Sequence, residues 1–130
     1  MAAELLHLSE PTQTNISKRQ IHDVLLTIGI PPNLLGYRYI VYSLELILSN
    51  PDYIFYITKG LYIDVALYFD STPARVERAI RNAINAAWMN DNNEFRTYMF
   101  KNCINPSKGS PSNSLFLSRL YDYFTTQEKD

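Results

Sequence analysis

Apolar residues recur every three to four positions along most of the chain, and polar breaks divide that pattern into six segments. The first runs from Ser17 or Lys18 to Ile28, with Ile21, Val24, Leu25 and Ile28 on one face. Gly29 is suited to the left-handed stop that follows a helix, and Pro31-Pro32 prevents continuation. The second, Asn33–Ser49, is apolar nearly all round, which predicts a central helix. After Asn50-Pro51-Asp52 the run Tyr53–Ile57 has strand propensity. With no partner strand visible elsewhere, it reads better as a helical turn leading into a helix over Thr58–Phe69. Pro73–Trp88, Glu94–Phe100 and Ser112–Phe124 complete the set, the last packing Leu115, Phe116, Leu120, Tyr123 and Phe124 and capped by Ser112 or Asn113. The prediction is an all-α, compact single-domain bundle of about six helices. Residues 1–17 form a polar tail with at most a helical turn at Glu4–Leu8, and residues 18–130 form the domain.

The third and fourth segments have the spacing of a helix-turn-helix. Thr72 is a good N-cap, and Pro73 suits the first helical position because its absent N–H would find no partner there. Asp70 occupies the place usually held by glycine, and aspartate tolerates left-handed geometry better than most residues. Ala66 is the small residue at which the two helices would touch, with Val65 and Phe69 beside it and Val76 and Ile80 facing back. At 100° per residue, Val76, Ala79, Ile80, Ala83, Ile84 and Ala87 share one side of the second helix. Ala74, Arg78, Arg81 and Asn85 lie opposite, flanked by Arg75, Asn82 and Glu77. Such a helix can enter a DNA groove; a plain helical hairpin with a solvated charged face has the same spacing. Trp88, at the end of the helix, is expected to be buried rather than in the groove.

Composition narrows the function. With 46% hydrophobic residues, 130 residues are enough for one core. The net charge of −1 argues weakly against nucleic acid, but the charges are segregated. Residues 71–121 hold seven basic side chains (Arg75, Arg78, Arg81, Arg96, Lys101, Lys108, Arg119) against three acidic ones, a net of +4. The remainder holds five basic and ten acidic, a net of −5. Cys103 is the sole cysteine, so no intramolecular disulfide forms and a reducing cytoplasm is expected. No apolar run reaches the roughly 18–20 residues that span a bilayer, so no membrane partner is expected. Asp64, Asp70, Glu77, His7 and His22 make no recognisable acid–base pair or metal site. A Gly-rich phosphate loop, CxxC and HExxH are absent. Neither an enzyme nor a cofactor is expected.

The stretches ITKGLYIDVALYF, RVERAIRNAINAAW and SKGSPSNSLF resemble the C-terminal effector domain of the master sporulation response regulator, stage-zero regulator A, of endospore-forming bacteria. IHDVLLTIGIPPNLLGYRYI is similar to that family's opening helix, its IG(I/V)P turn and its second helix. The resemblance covers about Ile21 to Phe124. It implies a six-helix domain that recognises a double-stranded DNA promoter element, regulates transcription, often as a head-to-tail pair on tandem sites, and contacts the sigma subunit of RNA polymerase. It also implies that Arg75, Glu77 and Arg78 read bases. This agrees with their chemistry, since Arg can bridge guanine O6 and N7 and Glu can accept from cytosine N4. Thr72, Arg81, Asn82, Lys108, Ser112 and Asn113 are the implied contacts to the DNA backbone.

The chain departs from the family at four places. A 17–20 residue tail stands where the family's regulators carry a phosphoacceptor receiver, so receiver phosphorylation is not the expected switch unless the chain is a fragment. Leu67 and Tyr68 replace two lysines, Ala74 replaces a serine, and Ser110 replaces a lysine. Weaker or narrower DNA binding is expected. The competing expectation is an interaction module that modulates a full-length regulator or RNA polymerase without strong DNA reading. Leu67-Tyr68 and the tyrosine content favour that alternative; intact Arg75, Glu77 and Arg78 favour DNA reading.

Overall fold

A computed structural model describes residues 16–90, 93–101 and 109–129. The tail at residues 1–15, His7, Cys103 and Lys108 lie outside that range. The described residues form six α-helices and no strand. These are α1 (Lys18–Ile28), α2 (Leu35–Ser49), α3 (Tyr62–Phe69), α4 (Pro73–Trp88), α5 (Glu94–Met99) and α6 (Asn113–Lys129). None is long and apolar enough to cross a membrane.

α1 opens on a capping box. The Ser17 hydroxyl accepts from the Gln20 N–H at 3.2 Å, and the Gln20 carboxamide oxygen accepts from the Ser17 N–H at 2.9 Å. Gly29 closes it at φ 105°, where its N–H and that of Ile30 both reach the Leu25 carbonyl. α2 begins at Leu35, two residues later than the apolar pattern suggests. The Pro31–Leu34 segment is a turn, closed by a hydrogen bond from Leu34 N–H to the Pro31 carbonyl. As expected, α2 is central, burying Tyr37, Tyr39, Ile40, Val41, Leu44, Ile47 and Leu48.

The Tyr53–Ile57 stretch is helical, but not the start of a regular α-helix. Asn50 caps a 3-10 turn over Pro51–Tyr56, and a wide π turn at Ile57–Leu61 follows before α3 begins at Tyr62. The Tyr53 hydroxyl donates to Asp64 on α3 and pins the turns against that helix. α6 continues past Phe124 to Lys129, because the polar residues after the apolar pattern carry no stop signal.

α2 and α4 cross at Gly36. A Cβ built there would overlap the Ala79 carbonyl oxygen and sit 2.7 Å from its carbon and 2.8 Å from Ala83 Cβ. Only a residue without a side chain allows the central helix to approach the α4 backbone so closely. Val76, Ile80, Ala83, Ile84 and Ala87 therefore line the core without solvent contact. The far end of α4 is tied by Arg96. Its Nη1 donates to the carbonyls of Ala87 (2.7 Å) and Ile28 (3.2 Å), and its guanidinium lies 5.2 Å from the centre of the Trp88 ring. Asn93 adds bonds to the Thr27 and Ile28 carbonyls. Arg96 thus occupies carbonyls left open at two helix C-termini.

Candidate nucleic-acid interface

The turn between α3 and α4 sets the direction of the candidate reading helix. Asp70 adopts φ 56°, ψ 51°, and the Ser71 N–H reaches back to the Ala66 carbonyl at 2.8 Å. Ala66 is buried at this junction. Thr72 then caps α4, its hydroxyl oxygen accepting from the Arg75 N–H at 3.2 Å. The cap and Pro73 supply the local start signals, and burial of the apolar stripe of α4 fixes which side faces out.

That outward side carries Ala74, Arg75, Arg78, Arg81, Asn82 and Asn85, all exposed. Among the described residues, the guanidinium groups of Arg75 and Arg78 make no hydrogen bond or ion pair, so their planar donor forks are available. Arg81 is paired with Glu77, four residues earlier. Both partners are more than a third exposed, and pairs of this kind contribute only about 0.3–0.5 kcal/mol, so either can leave the pair for another partner. Glu77 itself is half-buried, lower on the helix flank than Arg78.

Grooves flank α4 on both sides. One is lined by Tyr39, Asp70, Ser71, Arg75, Arg78 and Asn82. The other is an open cleft of about 640 Å³ between α4 and the segment leading into α6, with Arg81, Asn85, Ser110 and Ser112 on its walls. Asn82 on the wall of the first groove is exposed, as is Thr72 at the N-cap of α4. Ser112 is exposed and caps α6, accepting from the Leu115 N–H at 3.2 Å.

Three expectations need correction. Asn113 does not present its side chain to solvent: it is 7% exposed, and its Nδ2 donates to the Tyr62 hydroxyl and to the Glu77 carbonyl, each at 3.0 Å. It fastens the start of α6 to α3 and α4, leaving Ser112 as the surface residue of that pair. Burial raises the Tyr62 pKa above the usual phenol value, an effect partly offset by the hydrogen bond from Asn113. Trp88 is half-buried rather than enclosed. It packs edge-on against Phe100 and Phe116, with ring centres 5.0 and 6.1 Å away, while another edge lines the cleft. The basic segment is also less basic at its surface than its composition suggests. Arg96 is buried, and Arg119 donates from Nε to the Met99 carbonyl.

The pairing of Asn85 with Ser110 was not anticipated. The Ser110 hydroxyl donates to the Asn85 Oδ1 at 2.8 Å across the cleft. The sequence signal was available in part: Asn85 lies seven residues after Arg78 on the same stripe.

Residues 21–124 match the family model described as the C-terminal part of the sporulation initiation factor Spo0A. The chain belongs to this family. It is a family of sporulation-related DNA-binding effector domains, a class of transcription regulator rather than of enzyme. The matched span runs from the first turn of α1 to Phe124 in α6, so it takes in the helix-turn-helix, both grooves and the Gly36 crossing.

Proposed function

We propose that this domain is a sequence-specific DNA-binding regulator of transcription that inserts α4 into the major groove, with Arg75, Glu77 and Arg78 reading base edges. The observation that carries this reading is the pair of unengaged arginines, three residues apart on the exposed face of a helix whose entry angle is set by a capped turn. A guanidinium without a protein partner can bridge guanine O6 and N7, and Glu77 can accept from cytosine N4. Arg81, Asn82 and Ser112 border the two grooves beside α4 and, with the exposed Thr72 at the helix N-cap, supply the backbone contacts, with Lys108 proposed from sequence alone. Asn113 acts indirectly, through the seat it gives α6. Pairing on tandem sites and contact with the sigma subunit of RNA polymerase complete the proposal, taken over from the family resemblance. The test is a binding titration on single, tandem and scrambled duplexes. Discrimination against the scrambled duplex, with tighter binding to tandem than to single sites, is the expected result; equal affinity for all three would refute base reading.

A different observation favours the interaction-module reading. Leu67 and Tyr68 are 75% and 65% exposed on α3, and Tyr68 stacks on Tyr42 with ring centres 4.1 Å apart. An exposed apolar and aromatic surface of this kind suits a protein partner better than phosphate. It would prevail if substitutions at Arg78 and Glu77 left the cognate-to-scrambled ratio unchanged.

A further inference from the structure

We propose that Asn85 is an additional DNA-contacting residue, held by Ser110 so that its amide nitrogen donates to a phosphate oxygen at the edge of the groove. The proposal rests on the reading of α4 as the groove-entering helix. Asn85 is exposed, seven residues beyond Arg78, and therefore roughly 10 Å further along the helix axis on nearly the same face. A helix that enters the groove by its N-terminal residues places base contacts early and has the sugar–phosphate backbone beside its later turns. At that depth Asn85 forms one wall of the open cleft it shares with Arg81, Ser110 and Ser112.

The oxygen end of the amide is turned toward Ser110. Ser110 donates to Oδ1 at 2.8 Å, so the acceptor end is occupied. The Nδ2 group, with two N–H donors, has no protein partner among the described residues. An amide oriented in this way presents donors only, which is what a phosphate oxygen needs. The serine also explains how a short, uncharged residue can serve at position 110. A lysine there would bring its own charge to the backbone, whereas Ser110 orients a neutral donor on the neighbouring helix. Neutral contacts release no counterions, so this anchor adds affinity without adding salt dependence.

The test uses the full 130-residue chain, a duplex that the wild type selects from a random library, and a scrambled duplex, titrated by fluorescence anisotropy at two salt concentrations. N85A should weaken binding to both duplexes by about tenfold, and S110A by about threefold. Neither should change the cognate-to-scrambled ratio or the log–log salt slope. In the N85A background S110A should have no further effect, because the serine acts through the asparagine. N85D keeps the acceptor for Ser110 but turns a negative charge on the phosphate, and should bind more weakly than N85A. Unchanged thermal melting of each variant separates a lost contact from a lost fold. Wild-type affinity for N85A and S110A, additive losses in the double variant, or N85D binding as well as N85A would each overturn the proposal. If the wild type discriminates between duplexes while these variants behave as it does, the Asn85 proposal alone fails. If the wild type binds neither duplex, base reading fails with it.

Discussion

Replacing Gly36 by alanine sets two known effects against each other, and the structure decides between them. Gly36 lies in the first turn of α2, where alanine's advantage over glycine is at most the helix-interior value of about 0.8–1 kcal/mol, so local propensity predicts a somewhat more stable protein. The packing predicts the reverse. The added Cβ would overlap the Ala79 carbonyl oxygen and lie 2.7 Å from its carbon, where ordinary contact needs about 3.5–4.0 Å. The obstacle is backbone in the middle of α4, so it cannot turn aside as a flexible side chain would. α2 and α4 must move apart by about 1 Å, a gap that forfeits a quarter to a half of each contact along the crossing. Overpacking of a tight core costs about 1–3 kcal/mol and sometimes more. A crossing between two helix backbones belongs at the upper end, so the net loss after the propensity gain is about 2–3 kcal/mol. For a chain of this size that lowers the melting temperature by about 5–15 °C. Thermal melts followed by circular dichroism at 222 nm measure it directly. Ala83→Gly in the same chain should not rescue the loss, because it removes the contact at Ala83 Cβ and leaves the one at Ala79. A Gly36→Ala protein melting at or above the wild-type temperature would refute this account of the crossing.

Arg78→Ala should lower affinity for the selected duplex by about ten- to a hundredfold, the value of one bidentate guanine contact, with a much smaller loss on scrambled DNA. Glu77→Ala should raise non-specific binding and relax preference at one C·G pair, both visible in the same titrations. Arg81→Ala should weaken all sequences alike and flatten the log–log salt slope by about one. The Ser43 hydroxyl is fully buried in α2 and, among the described residues, has no hydrogen-bond partner. Ser43→Ala should therefore stabilise the domain by about 1 kcal/mol in chemical denaturation. The folded-state Tyr62 pKa is raised, chiefly by burial. Its contribution to stability is thus complete below the unfolded phenol pKa of about 10 and declines as pH rises through the folded value. Tyr62→Phe should lose part of the alkaline destabilisation in a series of melts above pH 9.

Features written in a few adjacent residues were legible before the fold was known. Gly29, Asp70 and the Thr72-Pro73 start each act within one turn of helix, so their chemistry does not depend on distant contacts. The apolar stripe of α4 was legible for a related reason, since its period is intrinsic to the helix. The 3-10 and π turns at Pro51–Leu61 were not legible as such. Their aromatic residues suit strand or helix, and contacts such as Tyr53 to Asp64 settle the matter. Long-range partners were likewise invisible. Arg96 looked like one more surface cation, although its partners are 9 and 68 residues away. Asn113 looked like a simple cap, although it binds residues 36 and 51 positions distant. The small residue in the GY pair of α2 was noticed only as part of a resemblance, and its closeness to Ala79 needed the fold.

The Arg96 bridge has a consequence for how the two partners divide the work of fitting together. It joins the last turn of α4 to the end of α1, while the Gly36 crossing holds the middle of α4 against α2 and Asn113 grips its second turn through the Glu77 carbonyl. A helix fastened at three points along its length has little freedom to slide, tilt or bend toward a duplex. Mutual adjustment must then come from the DNA, through groove width and local bending that vary with base sequence. Promoter elements would be ranked partly by how easily they conform to a fixed protein surface, including at base pairs no side chain touches. Loosening the bridge, as in Arg96→Met, would transfer some of that adjustment to the protein and flatten the ranking among duplexes with the same contacted bases.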